Sequence, residues 1–205
     1  MESFPHYIQQ TSIEALQNKH INMLNNFIIN EITPTEIIGT VNDKPTHIPY
    51  NLAIWAAGVK PSYPEIIPQL QTDNQKRIIV NGYLQLMNYP NVFVLGDAAS
   101  IKTKDEKVVP MLAQSAVAEA QYLSQNFEKL MLENTKTNET LNPFEFHPKG
   151  MLLSLGRFEA AGQIGPIKIS GIFAWFIWRT IYLFNFKSWK KRLLIALEWT
   201  RNLFE

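Results

Sequence analysis

A continuous apolar run at residues 92–95, which ends at Gly96 and Asp97, constrains the fold more than any other feature of the sequence. Strands that are apolar on both faces are typical of parallel sheets buried between helices. Ligands of such sheets lie beyond the carboxyl ends of the strands, where Asp97 would stand. A helix is predicted at residues 111–133, after Pro110, because proline's missing N–H is tolerated at a helix start. The chain is therefore expected to be an α/β protein, or α+β if it is a fragment.

Shorter patterns predict further elements on both sides of this unit. A helix is expected at residues 8–19. Three β-rich runs separated by turn residues then predict an antiparallel meander, with strands at 21–29, 36–41 and 48–54. An apolar strand is also expected to end at Gly58. Additional strands are expected at residues 77–81, 83–87, 143–146 and 150–156.

The composition excludes several classes of chemistry. The chain has no Cys, which excludes disulfide frameworks, thiolate metal sites and cysteine nucleophiles. Its four His are scattered without the spacing of a metal site, so no metal is expected. None of the nine Gly forms a Gly-x-Gly pair, and no Walker sequence is present. The usual glycine-rich turn that binds a dinucleotide pyrophosphate is therefore missing from these residues.

Charge and aromatic residues are distributed unevenly along the chain. Residues 150–205 contain eight Lys and Arg against three Asp and Glu, whereas residues 1–149 contain 11 against 15. The same C-terminal segment holds four of the five Trp. Cationic and aromatic residues together suggest an anionic membrane surface or a nucleic acid. No nucleic-acid partner is expected, because the basic residues interrupt long aliphatic runs.

Two amphipathic helices with basic and Trp flanks are predicted in this segment. Residues 169–186 carry a single charge, Arg179, and their length is borderline for a membrane span. An Arg near the centre of a span costs roughly 2.5–3.5 kcal/mol, which favours helices lying on the surface. The other interpretation is that the apolar stripes form protein core. The predicted membrane anchors are Trp175, Trp178, Arg179, Trp189, Lys190, Lys191 and Arg192.

An ordered set of motifs across nearly the whole chain resembles the C-terminal half of the type II NADH dehydrogenases. These are single-subunit NADH:quinone oxidoreductases that contain FAD and act at a membrane surface. The matching residues are 55–61, 92–99, 110–114, 143–144, Gly150, 154–156, 170–171, Trp175, Trp178, Arg179 and 189–194.

The resemblance implies roles for a few residues. Asp97 would accept a hydrogen bond from a ribityl hydroxyl of FAD, and Gly96 would let the backbone approach. The alternative is that Asp97 caps the following turn. Ala113 and Gln114 begin the family's Ala-Gln-x-Ala-x-Gln motif, in which the amide of the first Gln can contact a quinone carbonyl beside the flavin. Ala118 replaces the last Gln of that motif.

The resemblance also implies a division of the chain. Residues 1–60 would end the NADH-binding insert, 61–150 would be the C-terminal part of the FAD-binding domain, and 151–205 would be the membrane and quinone side. The expected activity is hydride transfer from NADH to FAD, followed by two-electron transfer to a membrane quinone without proton pumping. Isolated, the chain is expected to bind FAD weakly or not at all. The alternative is a noncatalytic membrane-surface binding or assembly module.

Partners and location follow from the same resemblance. The expected partners are a membrane quinone and an anionic membrane surface, with a complementary N-terminal half or a second copy of the chain as a further partner. The expected location is peripheral, on the cytoplasmic face of a bacterial-type inner membrane or its organelle equivalent.

Overall fold

A computed structural model of the chain describes residues 4–66, 69–132 and 141–202. In chain order its elements are α1 (His6–Asn18), β1 (Phe27–Ile32), β2 (Glu36–Val41), β3 (Lys44–Pro49), β4 (Ile78–Ile79), β5 (Gln85–Leu86), β6 (Tyr89–Phe93), a 3-10 turn (Gly96–Ala98), β7 (Ala99–Ser100), α2 (Ala113–Leu132), β8 (Met151–Gly156), β9 (Glu159–Ile164), β10 (Ile167–Ser170), α3 (Gly171–Phe184) and α4 (Trp189–Arg201). This mixture of helices and short sheets confirms the predicted fold class.

The chain folds as two compact units. One combines Met1–Ile54 with Lys149–Glu205, and the other is Trp55–Pro148. These units group residues by contact, whereas the segments expected from the resemblance follow functional modules. The division at residues 60 and 150 therefore stays a prediction.

The N-terminal meander has the predicted antiparallel order β1-β2-β3. The predicted bounds of β2 are confirmed, but β1 and β3 are displaced from residues 21–29 and 48–54. Asn42 and Asp43 both have positive φ angles, 49° and 62°, as a two-residue type I′ turn requires. Because Val41 pairs directly with Lys44, β3 begins immediately after this turn. Pro45 is tolerated there since β3 is an edge strand.

The C-terminal residues of the same unit form the antiparallel sheet β8-β9-β10, against which α1 and α3 pack. The strand predicted at 150–156 is confirmed as β8. The sequence did not indicate β9, because Ala160 and Ala161 are small although both are fully buried. The helix predicted to begin at residue 169 instead begins at Gly171, whose φ of +66° separates it from β10.

In the unit Trp55–Pro148, α2 confirms the predicted helix over its described residues, since residue 133 lies outside them. The expectation of a buried parallel strand at residues 92–95 is wrong. That segment contributes to β6, which pairs antiparallel with β5 and leaves Val92 44% exposed. The run is only partly covered: the Phe93 ring centroid lies 5.7 Å from that of Phe127, and Val94 packs against the core of the unit. Parallel pairing occurs instead between β4 and β7.

The core of this unit consists of buried side chains from short strands and loops. The structure forms no strand at residues 53–58 or 143–146, contrary to expectation. Phe144 nevertheless donates its backbone N–H to the Gly82 carbonyl oxygen at 2.7 Å and is buried. The buried members of the core are Val80, Leu84, Ala99, Ile101, Val109 and Phe144. They support the segment that leads from β6 to α2.

Candidate functional site

The Gly96–Ala98 turn follows the hairpin β5–β6, and helix α2 packs against this turn. Gly96 has a φ of +69°, in the left-handed region that favours glycine. A Cβ built on Gly96 would lie 3.6 Å from the Cβ of Ala116, so α2 lies directly against the turn. The turn is thus held between a hairpin and the first two turns of a helix.

Asp97 projects from this turn with an exposed side chain. Within the part of the chain that the structure describes, its carboxylate accepts no hydrogen bond, so the alternative role as a cap of the following turn gains no support. An exposed carboxylate can accept strong hydrogen bonds from hydroxyl groups of a ligand. Asp97 is therefore available for the contact expected from the sequence.

Glu119 lies beneath the turn and is not among the predicted site residues. Its side chain is only 2% exposed, and its Oε2 accepts a hydrogen bond from the Gly96 backbone N–H at 2.5 Å. Burial raises the pKa of Glu119 to about 7; the Gly96 hydrogen bond opposes this shift, and the charge of Asp97 adds to it. The site therefore contains two carboxyl groups in different environments.

Helical spacing groups Glu119 with neighbouring residues of α2, but it does not show that their shared face is packed. Glu119 follows Ser115 by four residues and Ala116 by three, so the three share a helix face, and Ser115 is also buried. The family motif places its last Gln at position 118 instead. Ala118 is partly buried and packs against the core of its unit. The polar side chain on the packed face of α2 is that of Glu119, one position after Ala118.

The first turn of α2 contains the remaining predicted site residues. Ala113 is exposed and Gln114 is partly buried. The backbone N–H groups of Ser115 and Ala116 both donate to the Leu112 carbonyl oxygen, at 2.9 and 3.1 Å. The Ser115 hydroxyl is buried without a hydrogen-bond partner among the described residues. The structure thus brings Gly96 and Asp97 against the start of the helix that carries Ala113 and Gln114.

The second candidate region is built around Arg179 on α3. Its guanidinium carbon lies 4.3 Å from the ring centroid of Trp175 and 4.5 Å from that of Trp199. Partial burial lowers the pKa of Arg179 below its ordinary value. Arg157 donates to the Asn202 carbonyl oxygen at 2.9 Å. An open cavity of about 420 Å³ is lined by Ser154, Gly156, Arg157, Trp175, Arg179 and Asn202.

The predicted membrane anchors do not all lie on the surface. Trp175 is only 6% exposed and belongs to the core formed with Ala160, so its assignment as a surface anchor is corrected. Trp178 is partly buried and packs against Tyr182 in a tilted arrangement, with ring centroids 4.8 Å apart. Arg192 is used within the fold, because it donates to the carbonyl oxygens of Phe186 and Phe184.

Three predicted anchors are exposed, together with many apolar neighbours, whereas Arg179 is partly buried. Trp189 is 67% exposed, and Lys190 and Lys191 are also exposed. Exposed apolar side chains on α3 and α4 include Ile172, Phe173, Phe176, Ile181, Phe184, Leu193, Leu194 and Leu197. Such a concentration on two helices is typical of an interaction surface. No helix among the described residues is long and apolar enough to cross a membrane.

Two segments of the chain match families of known proteins. The family model of pyridine nucleotide-disulphide oxidoreductases matches residues 1–120, and that of the NDH2 C-terminal domain matches residues 149–205. A type II NADH:quinone oxidoreductase of Mycobacterium tuberculosis is 32% identical over 83% of this chain and 35% of its own length. A mitochondrial internal alternative NAD(P)H-ubiquinone oxidoreductase of Arabidopsis thaliana is 26% identical, over 97% of this chain and 41% of its own length.

A solved structure extends the comparison to the fold. NDH2 of Plasmodium falciparum in complex with NADH matches with a TM-score of 0.80 and 19% identity, over 98% of this chain and 55% of that chain. The chain thus spans well under two thirds of these relatives. Since the two family models cover most of its residues, the chain belongs to the pyridine nucleotide-disulphide oxidoreductase family and carries the C-terminal domain of its type II NADH dehydrogenase branch.

Proposed function

We propose that this chain supplies the C-terminal part of an FAD-dependent NADH:quinone oxidoreductase. In the whole reaction NADH, a proton and a quinone yield NAD⁺ and a quinol. The observation that carries the proposal is the left-handed Gly96 followed by the exposed Asp97, packed on the start of α2. Bound FAD would supply the hydride-accepting and electron-transferring chemistry.

The residues present fit one side of the flavin. The exposed Asp97 carboxylate would accept a hydrogen bond from a ribityl hydroxyl, and Gly96 would allow the backbone close to the ligand. The first turn of α2, with Ala113, would place its partial positive charge beside the ring system. The pyrophosphate lacks its usual glycine-rich turn here, because the chain has no Gly-x-Gly pair. A complementary N-terminal half, or a second copy of the chain, would complete the site.

Gln114 would orient the quinone. Its side-chain amide can donate a hydrogen bond to a quinone carbonyl oxygen, as the matching family position does. Ala118 offers no second polar contact at the position of the family's last Gln. The quinone would therefore be held by fewer side-chain hydrogen bonds from this helix than in relatives that keep both Gln residues.

The membrane side of the proposal depends on α3 and α4. Their exposed apolar side chains would enter the headgroup region, while Lys190 and Lys191 would contact anionic lipids. We place the protein peripherally, on the cytoplasmic face of a bacterial-type inner membrane or its organelle equivalent. Quinones reside in that membrane, so surface attachment would bring the quinone side of the protein to its substrate.

A second candidate function is a noncatalytic membrane-surface binding or assembly module. The exposed apolar side chains of α3 and α4 support it, as they support the enzyme. The two functions differ at Asp97, which only the flavin-binding function requires.

Titration of FAD into the purified chain tests the proposal through quenching of flavin fluorescence. We expect weak binding that Asp97→Ala weakens by about tenfold, because a hydrogen bond to a charged group is lost. Asp105→Ala removes another exposed carboxylate of the same unit and should leave binding unchanged. NADH is not expected to reduce the FAD bound to the chain alone. Equal affinities of the two variants would favour the noncatalytic module.

A further inference from the structure

A buried carboxylate supports the turn to which we assign flavin binding. We infer that Glu119 is a positioning residue whose ionised carboxylate holds the Gly96 amide and so fixes the turn from which Asp97 would bind the flavin. This inference deepens the proposed function. Glu119 would touch neither the flavin nor the quinone, and it would act only through the backbone at Gly96.

The burial and the hydrogen bond of Glu119 indicate that it supports the turn and does not contact a ligand. Its side chain is 2% exposed, and its Oε2 lies 2.5 Å from the Gly96 nitrogen. The contact joins residues 23 positions apart in sequence, so it fastens the turn to α2. Gly96 approaches the same helix at Ala116, one helical turn before Glu119. The Glu119 hydrogen bond therefore holds a glycine that already lies close to α2.

The charge state of Glu119 sets the strength of this hold. A carboxylate accepts a hydrogen bond about twice as strongly as a neutral carboxyl group. Burial raises the pKa of Glu119 to about 7, against the opposing effect of the Gly96 hydrogen bond, and Asp97 on the packed turn raises it further. Among the described residues, Asp97 is the charged group whose field acts on Glu119, and the Ser115 hydroxyl on the same helix face is uncharged. The turn should therefore loosen as the pH falls through about 7.

Nuclear magnetic resonance of the ligand-free chain tests this inference directly. We expect the Gly96 amide proton to resonate downfield above pH 7 and to move upfield at lower pH, with a midpoint near 7. Its protection against hydrogen exchange should fall by about tenfold across the same transition. Glu119→Gln should abolish the transition. Glu128→Gln, a change at an exposed position of the same helix, should preserve it.

Two results would overturn the inference. One is a Gly96 amide that does not respond to pH between 5 and 8 in the unmutated chain, a result that requires no variant to fold. The other is a transition that persists in Glu119→Gln. The ligand-free measurement separates this inference from the proposed function, because it gives the same answer whether or not FAD binds.

A second measurement links the turn to the ligand. FAD affinity of the unmutated chain should rise between pH 6 and pH 8, whereas the affinity of Glu119→Gln should be lower at pH 8 and less dependent on pH. Glu119→Asp, which keeps the charge, should recover part of the affinity at pH 8. Unchanged FAD affinity in Glu119→Gln would show that Glu119 does not position the flavin contact. If no variant binds FAD by itself, the resonance data of the ligand-free chain alone decide the role of Glu119.

Discussion

At the scale of single residues, the candidate site combines one group that sequence patterns reveal with one that they hide. Asp97 follows an apolar run directly, and its position beside Gly96 makes it visible in the sequence. Glu119 becomes visible only when the packed face of α2 is known. Many exposed helix positions also carry Glu, and only the 2% exposure of this side chain distinguishes it. The distinction depends on tertiary packing, which no local pattern contains.

The burial of Glu119 has a consequence for stability. Its pKa lies near 4.5 in an unfolded chain and rises to about 7 in the folded protein. Between these values the folded chain holds a proton that the unfolded chain releases, so the free energy of unfolding falls as the pH rises, by up to ~1.4 kcal/mol per pH unit. Above a pH of about 7, Glu119 lowers the free energy of unfolding no further. We expect Glu119→Gln to be more stable than the unmutated chain at pH 8, with a smaller difference at pH 5.

Urea unfolding at a series of pH values measures this effect. Glu128→Gln is the matched control, because it removes an exposed carboxylate from the same helix. Other titrating groups are common to all three proteins, so the difference between the curves isolates position 119. Parallel curves for Glu119→Gln and the unmutated chain would contradict the expected cost of burying this charge.

At the scale of elements, local patterns succeed where an element's own residues determine it. The bounds of β2 and the extent of α2 were predictable, because periodicity and turn chemistry lie within each segment. The environment of β6 was not, because an apolar run indicates burial without showing what covers it, and Val92 is 44% exposed. The strand β9 escaped prediction because its buried residues are Ala and Gly, which give no strong apolar signal.

The junction between α3 and α4 yields a prediction at this scale. Arg192 donates through Nε to the Phe186 carbonyl oxygen at 2.6 Å and through Nη2 to that of Phe184 at 3.1 Å. These bonds satisfy carbonyl groups at the C-terminal end of α3, where a cation is also favoured by the helix dipole. We expect Arg192→Ala to lower the free energy of unfolding by about 1 kcal/mol.

Lys191→Ala provides the comparison, since it removes the same charge from a neighbouring exposed position. Its effect should lie within about 0.5 kcal/mol, as for most surface substitutions. Thermal unfolding followed by circular dichroism reports both variants. If they lose equal stability, the bonds of Arg192 to α3 contribute nothing beyond its charge.

At the scale of the whole molecule, the net charge of +1 conceals a cationic C-terminal segment that carries the exposed apolar residues of α3 and α4. Attachment to a membrane would use both the apolar residues and the positive charges. Burial of the apolar side chains provides affinity for any bilayer, and the charges select anionic lipids. If these apolar residues instead pack only against protein, neither lipid type should bind. Vesicle binding therefore separates the surface-anchor interpretation from the protein-core interpretation.

Sedimentation with vesicles of phosphatidylglycerol and of phosphatidylcholine makes the comparison quantitative. Each Lys near an anionic surface contributes about 1 kcal/mol, so the double variant Lys190→Gln, Lys191→Gln should bind phosphatidylglycerol about 30-fold more weakly. Its binding to phosphatidylcholine should change little. The double variant Lys44→Gln, Lys60→Gln removes two exposed charges outside the segment and should bind as the unmutated chain does. Equal losses in both double variants would mean that net charge, and not the position of Lys190 and Lys191 on α4, governs attachment.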